Sequence, residues 1–278
     1  LHRLACDHRT GPTGDDQGVN SVWDAGRPRS TLCEVGQNER CPPVDDPNSA
    51  RRWVALRIIS YNLRKHAAGH ELEDIAKTYD VDALCLQECD SEMLAPRLHD
   101  LQLADATRAN RLGLAVYVRD ERYEVLDTQV FAVHKSIHDR VLAPANERLL
   151  AALLRDKDSG ERVLVGSFHA APLTASNSLR RKQIAAAHEG MRSLAPETPA
   201  IMVGDFNYPW FIRGLERHLT TAGFTLNRSD EPTYLRYKFF TGYFDFVTST
   251  GFEVERVDVL PAGASDHRAI RLDAELAA

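Results

Sequence analysis

The chain has 278 residues, 43% hydrophobic and 27% charged, which is the composition of an ordinary soluble protein with a substantial buried core. A formal net charge of −6 argues against a broad basic surface of the kind that binds nucleic acid without specificity. No apolar stretch approaches the roughly 20 residues of a membrane helix, and five cysteines without paired spacing argue against a disulfide framework.

Residues 1–52 differ sharply in composition from the rest of the chain. They are rich in Gly, Pro, Asp, Asn and Arg and show almost no apolar periodicity, which predicts a disordered or poorly ordered leader. Because the chain starts at Leu1 without a methionine, part of this leader is interpreted as an artefact of an upstream start assignment. The first residues also lack a basic segment followed by an apolar one, and we therefore predict a cytoplasmic protein.

Residues 53–278 alternate short apolar, β-branched runs with helical stretches, which is typical of layered α/β structure. The predicted strands are Arg57–Tyr61, Ala83–Gln87, Leu114–Tyr117, Leu149–Leu154, Val163–Phe168, Ala200–Val203, Phe244–Thr248 and His267–Asp273. The predicted helices are Glu71–Tyr79, Ser178–Leu194 and Ile212–Ala222. Turn residues between the fourth and fifth strands indicate a hairpin, and because strands outnumber helices we predict mixed sheets.

Polar residues stand beside several of these apolar runs, far apart in the chain. Glu88 follows the second strand, Asp205 and Asn207 follow the sixth, and Asp266 directly precedes His267. An aspartate paired with an asparagine can hold and polarise a water molecule, whereas an aspartate beside a histidine can bind a cation and share a proton. A separate glutamate can anchor the same cation. This combination predicts a site for a phosphate substrate.

The polar residues belong to a longer ordered series of short motifs. The series is Tyr61-Asn62, Gln87-Glu88, Phe168-His169, Gly204-Asp205-Phe206-Asn207, Phe244-Asp245-Phe246 and Ser265-Asp266-His267. It resembles the motif series of the endonuclease/exonuclease/phosphatase superfamily over about residues 56 to 276. The resemblance implies a catalytic domain over residues 53–278 with a DNase-like four-layer α/β sandwich, in which two mixed β-sheets are flanked by helices. It also implies a divalent-metal site at one end of the sandwich.

The resemblance assigns three residues to the metal. Glu88 resembles the principal ligand of Mg²⁺ or Mn²⁺, because a hard carboxylate suits these ions better than sulfur or imidazole. Asp266 resembles a second metal contact. The amide of Asn62 would bind a water or a phosphate oxygen near the metal without adding negative charge.

Five further residues would form the catalytic machinery in this family. Asp205 would orient or deprotonate the attacking water, and Asn207 would hold the water or a phosphoryl oxygen in line. His267 would contact the scissile phosphate, with its ring oriented by Asp245. His169 would stabilise the developing charge or assist the leaving oxygen. Some family members use the histidine–aspartate pair as the base, and the sequence leaves that alternative open.

Substrate contacts are predicted from less specific signals. Arg148 and Arg180 occupy positions where family members often carry phosphate-binding arginines, although a solvated strand or helix end explains each equally well. Two aromatic segments, 208–211 and 234–240, could flank the pocket. Aromatic rings interleaved with Arg and Lys can stack on bases, but they can also pack the edge of the sandwich or touch a lipid.

We therefore predict a metal-dependent hydrolase that cleaves a phosphodiester by in-line attack of water, with DNA or RNA as the first substrate hypothesis. Phosphomonoesterase or phospholipid diesterase activity is the alternative within the same chemistry. A catalytically silent scaffold that uses the same pocket is the alternative from another class, and the complete set of carboxylates and imidazoles argues against it.

Overall fold

The computed structural model describes residues 55–277, apart from 109, 111, 137–146, 238 and 239. The predicted leader, residues 1–52, lies outside the described residues. The strands are β1 (Ala55–Asn62), β2 (Ala83–Cys89), β3 (Arg97–Leu98), β4 (Leu101–Ala106), β5 (Gly113–Arg119), β6 (Tyr123–Ala132), β7 (Glu147–Asp156), β8 (Arg162–His169), β9 (Ala200–Asp205), β10 (Thr225–Arg228), β11 (Tyr234–Tyr237), β12 (Phe240–Gly242), β13 (Asp245–Thr250), β14 (Phe252–Val259) and β15 (Ile270–Leu276). The helices are α1 (Leu72–Thr78), α2 (Asn177–Leu194) and α3 (Ile212–Thr221), with a 3₁₀ turn at Gly69–Glu71.

Most of these strands form two mixed sheets. The first sheet has seven strands in the order β14-β15-β1-β2-β5-β4-β3, and the second has six in the order β10-β13-β9-β8-β7-β6. One pair in each sheet, β1 with β2 and β8 with β9, is parallel, and the other pairs are antiparallel. Strands β11 and β12 form a separate hairpin. The predicted mixed sheets are therefore confirmed.

Three apolar clusters separate four layers. Ile58 of the first sheet and Val203 of the second belong to the central cluster between the sheets. On the outer face of the second sheet, Met202 shares a cluster with Ile184 of α2, and on the outer face of the first sheet, Ile59 shares one with Leu72 of α1. Successive residues of a strand thus enter different clusters, as the two-residue period of a strand requires. The predicted four-layer sandwich is confirmed.

Every predicted strand and helix overlaps an observed one. The predicted hairpin is the antiparallel pair β7–β8. The predicted strand His267–Asp273 is wrong at its start, because β15 begins at Ile270. His267 instead forms an isolated bridge with Tyr234, and the backbone N–H of Arg268 donates to the carbonyl of Thr233 at 2.7 Å. At His267 the chain therefore runs outside the first sheet and beside the start of β11. No helix in the described part of the chain is both long enough and apolar enough to cross a membrane.

The strand registers bring the motif residues to one end of the sandwich. In the second sheet, Asp205 lies opposite His169 of β8 and opposite Asp245 of β13. Directly opposed residues project from the same face of a sheet. In the first sheet, Asn62 of β1 lies opposite Gln87 of β2.

Gly204 allows β8 and β9 to approach each other beside this site. Its φ is +148°, and a Cβ atom at this position would lie 2.0 Å from the carbonyl oxygen of Phe168. Gly204→Ala is therefore expected to lower the free energy of unfolding by more than about 3 kcal/mol, because both a backbone clash and an unfavourable φ must be accommodated. The matched control is Gly214→Ala in α3, where a Cβ meets no atom within 4 Å and is expected to stabilise the helix slightly. Urea denaturation that shows equal stability for the two variants would contradict this account.

Candidate active site

Asp205 is at the centre of the hydrogen-bond network. Its Oδ1 accepts a hydrogen bond from the backbone N–H of Asn207 at 2.9 Å. Its Oδ2 accepts from the side-chain amides of Asn62 at 3.0 Å and of Asn207 at 3.1 Å. The backbone N–H of Arg64 donates to Asn62 Oδ1 at 3.0 Å, which fixes the orientation of that amide. Two asparagines thus hold one buried carboxylate in a defined position.

Burial and neighbouring charges make Asp205 a weaker acid than usual. Burial is the largest cause and raises its pKa from 3.8 to about 7, and the charges on Asp245 and Glu88 act in the same direction. The positive charge of His267 and the hydrogen bond from the backbone N–H of Asn207 partly oppose this shift. Such a carboxylate is well matched to accepting a proton near neutral pH.

His267 is paired with Asp245. Its Nδ1–H donates to Asp245 Oδ2 at 2.9 Å, and its Nε2 lies 3.7 Å from Asp205 Oδ2. Burial by itself lowers the pKa of this imidazole, but the negative charges of Asp245 and Asp205 and the hydrogen bond to Asp245 outweigh burial and raise the pKa to about 10. His267 is therefore a cation at neutral pH.

His169 approaches Asp205 from the neighbouring strand. Its Nε2 lies 3.7 Å from Asp205 Oδ2 and 3.8 Å from Glu88 Oε1. The two imidazoles of His169 and His267 therefore converge on one oxygen of the same carboxylate. The two histidines, Asp205, Asp245 and the paired asparagines are together in the structure, as the motif series predicts.

A strand bulge directs Glu88 toward this cluster. The pairing of β2 with β5 shifts register between Gln87 and Cys89, and Glu88 has a left-handed φ of 52°. Such a bulge redirects a side chain at the end of a strand. The backbone N–H of Lys65 then donates to Glu88 Oε2 at 3.1 Å, and Glu88 Oε1 faces His169.

Residues 64–66 form a left-handed turn between the predicted metal-binding residues. Arg64, Lys65 and His66 have φ values of 48°, 54° and 67°, and successive residues in this conformation are unfavourable for L-amino acids. The turn contacts Asn62 and Glu88 through the backbone N–H groups of Arg64 and Lys65. The Nε of Arg64 also lies 3.8 Å from Asp266 Oδ2. The strained turn therefore holds Asn62, Glu88 and Asp266 in position.

The oxygen ligands around the cluster fit a hard divalent cation. Glu88, Asp266 and Asn62 offer carboxylate and amide oxygens, which Mg²⁺ and Mn²⁺ prefer. Among the described residues, a compact group of potential ligands is formed by Asp205, Asp245 and His267, whose ligand atoms lie within 4.8 Å of one another. Both oxygens of Asp205 already accept hydrogen bonds, and His267 Nδ1 is committed to Asp245, so this group is better described as a hydrogen-bonded unit.

The two predicted substrate-binding arginines are both buried. Arg148 donates through Nη1 to the carbonyl oxygen of His169 at 3.1 Å. Arg180 donates to the carbonyl oxygen of Pro172 at 2.8 Å and to Asn177 Oδ1 at 2.5 Å. These contacts stabilise the loop that follows β8. A direct contact of either arginine with substrate stays a prediction.

Several positioning residues were given no role from the sequence, although Tyr61 and Ser265 stand in the motif series. Ser265 Oγ donates to the carbonyl oxygen of Asn62 at 2.6 Å and accepts from the backbone N–H of His267 at 3.1 Å. Glu71 accepts hydrogen bonds from the hydroxyl of Tyr61 at 2.8 Å and from the backbone N–H of Ala264 at 2.6 Å. These bonds attach the loop before His267 to β1. No local sequence signal indicates contacts between residues that lie about 200 positions apart.

A polar cavity of about 280 Å³ lies beside Glu88. It is lined by Lys65, Glu88, Cys89, Asp90, Ser91, Glu92, Arg108 and Asn110, and none of these side chains is aromatic. The volume is just below the range of roughly 300–1,000 Å³ that is usual for ligand sites. The cavity therefore extends the site with room for a small polar group.

Sequence and structure comparisons agree on one family. The family model described as "Endonuclease/Exonuclease/phosphatase family" matches residues 59–267. No curated protein sequence matches the chain. A family protein from Bacteroides thetaiotaomicron is similar in structure, with a TM-score of 0.67 and 16% identity over 82% of this chain and all of the other.

Two similar structures have described activities or ligands. A mannosyl-6-phosphatase from Bacteroides thetaiotaomicron has a TM-score of 0.64 and 17% identity, over 79% of this chain and 99% of that one. TDP2 from D. rerio, solved with a single-strand DNA product, has a TM-score of 0.62 and 14% identity, over 80% of this chain and 99% of that one. At these identities the likeness establishes the fold.

Proposed function

Because this chain belongs to the endonuclease/exonuclease/phosphatase family, a family of metal-dependent hydrolases that act on phosphate esters, we propose that it cleaves a phosphodiester in a nucleic acid, DNA or RNA, with Mg²⁺ or Mn²⁺ as the cofactor. The observation that carries this proposal is the arrangement around Asp205. A buried carboxylate held by two asparagines, with two imidazoles 3.7 Å from one of its oxygens, can activate water beside a phosphoryl group.

Asp205 is the base in this mechanism. It accepts the proton of the attacking water, and the amides of Asn62 and Asn207 keep its carboxylate in place. The charges of Asp245 and Asp205 outweigh burial and raise the pKa of His267, which favours its protonated form over the neutral form that a base requires. The alternative in which the pair of His267 and Asp245 removes the proton is therefore disfavoured.

The two histidines act on the phosphate. The imidazolium of His267 donates from Nε2 to a phosphoryl oxygen, since its Nδ1 is already bonded to Asp245. His169 stabilises the developing charge or assists the leaving oxygen. Glu88, Asn62 and Asp266 would hold the divalent cation, whose charge offsets that of the phosphate.

A phosphomonoesterase is the second candidate, and a specific observation favours it. The cavity beside Glu88 is small and polar and carries the cations Lys65 and Arg108, which suits a single hydrophilic group better than a stacked base. The similarity in fold to a mannosyl-6-phosphatase is compatible with this candidate. The similarity to TDP2 with its DNA product supports the diesterase equally well.

Hydrolysis of bis(p-nitrophenyl) phosphate and of p-nitrophenyl phosphate, measured in parallel with Mg²⁺, Mn²⁺ or EDTA, tests the proposal. We expect metal-dependent cleavage of the diester, with a kcat/KM above that for the monoester. A preference for the monoester would establish the second candidate instead. Full activity in EDTA would contradict the metal requirement.

A further inference from the structure

Two consecutive aromatic side chains are exposed close to the site. Phe211 is 78% exposed and Trp210 is 48% exposed. In the part of the chain that the structure describes, three other large hydrophobic side chains are exposed, Met93, Val125 and Leu235, and none of them is aromatic. We call Trp210 and Phe211 the aromatic ledge.

The backbone of the ledge is strained. Phe211 has φ of 65° and ψ of 33°, a left-handed conformation that a bulky side chain rarely adopts, and its side chain makes no capping bond at the start of α3. Glycine or asparagine would fit this conformation better. An exposed ring at a strained position contributes little to folding, and strain of this kind is concentrated at functional sites.

The ledge is held within reach of the scissile phosphate. Trp210 follows Asn207 by three residues, so their Cα atoms lie at most about 11 Å apart. The intervening Tyr208 is buried, and its hydroxyl accepts a hydrogen bond from Arg181 Nη1 at 2.8 Å. The loop is therefore anchored on its inner side while the ledge faces outward.

The charged side chains around the ledge indicate what kind of molecule it binds. Arg213 and Arg217 lie on the exposed face of α3 immediately after the ledge, and Arg181 lies behind it. The polar cavity beside Glu88 has a mixed lining, in which Lys65 and Arg108 accompany the carboxylates of Glu88, Asp90 and Glu92. The arginines beside the ledge attract a polyanion toward it. A lipid surface would require a wider apolar face than two rings beside charged side chains.

We propose that the aromatic ledge binds unpaired bases of a single-stranded nucleic acid, next to the nucleotide whose phosphodiester is cleaved. Aromatic rings beside arginines are the usual platform for unpaired bases, because every base can stack and the arginines attract the backbone. This inference rests on the proposed diesterase function and adds the form of its substrate.

Binding of a fluorescein-labelled oligothymidylate, measured by anisotropy in EDTA, tests the proposal. Phe211→Gly removes the ring and relieves the left-handed strain, so this variant should unfold at the same or a higher temperature. We expect Phe211→Gly and Trp210→Ala each to weaken binding about tenfold. Hydrolysis of bis(p-nitrophenyl) phosphate should stay within about twofold of wild type, since this substrate has no neighbouring nucleotide that extends from the scissile phosphate to the ledge. Val125→Ala, at an exposed position on β6, is the matched control.

Each result has a distinct meaning. Unchanged oligothymidylate binding in both variants, or equal wild-type affinity for a blunt hairpin duplex, would overturn the ledge as a single-strand site. If the two variants lose the binding to phosphatidylserine vesicles that the wild type shows, yet retain oligothymidylate binding, the ledge is assigned to a membrane and the inference is also overturned. Absence of metal-dependent bis(p-nitrophenyl) phosphate cleavage in the wild type would instead refute the proposed function.

Discussion

Asp205→Asn is expected to lower kcat for bis(p-nitrophenyl) phosphate by roughly 10³-fold, within the range observed for loss of a general base. The amide that replaces the carboxylate cannot accept a proton from water. The substitution also leaves hydrogen-bond donors without an acceptor. Asp205 accepts three N–H hydrogen bonds from Asn62 and Asn207 on its two oxygens, whereas an amide offers only one acceptor oxygen. Asp74→Asn, at an exposed position on α1, is the control for the same chemical change and should retain full activity.

The stability of this variant relative to wild type should depend on pH in a defined direction. Because the folded-state pKa of Asp205 is raised from 3.8 to about 7, its contribution to stability is fully present below pH 3.8 and is lost as pH rises through about 7. Asp205→Asn should therefore gain stability relative to wild type as the pH rises across this window. Denaturation of both proteins in EDTA at several pH values measures the difference. A variant that is folded throughout yet fully active would refute Asp205 as the base.

The central strands could be predicted from the sequence, whereas the edge strands could not. Strands such as β1 and β9 are buried on both faces and read as continuous apolar runs. Strand β6 lies at the edge of the second sheet and alternates exposed with half-buried residues, and β14 at the edge of the first sheet is similar. Both strands were absent from the prediction because it followed continuous apolar runs, whereas β14 places Phe252, Val254, Val257 and Val259 among charged residues in the alternating pattern of a half-buried strand.

The residues that converge on Asp205 could also be predicted from the sequence, because their motifs stand beside the central strands. The geometry of these residues could not be predicted from the sequence. The bulge at Glu88 and the left-handed turn at residues 64–66 are imposed by tertiary contacts on residues with no turn-forming character. The departure of His267 from the first sheet depends in the same way on its pairing with Tyr234. These features decide which oxygen faces which imidazole, and an ordered list of motifs carries no information about them.

His267→Ala is expected to lower kcat/KM for the diester by about 10² to 10³-fold, the usual cost of removing a group that stabilises transition-state charge. Asp245→Asn should cost less, because this residue acts through His267 rather than on the substrate. The double variant should be no slower than His267→Ala alone, since the function of Asp245 disappears with the imidazole. Independent, multiplying effects of the two substitutions would contradict this relationship.

The pH profile distinguishes this electrostatic role of Asp245 from a purely structural one. His267 must be protonated to stabilise the phosphate, so activity should fall as pH rises through its pKa of about 10. The carboxylate of Asp245 is one of the groups that raise this pKa, against the opposing effect of burial. In Asp245→Asn the alkaline limb of the kcat/KM profile should therefore move to lower pH. An alkaline limb that stays in place while the rate falls would show that Asp245 only packs against the ring.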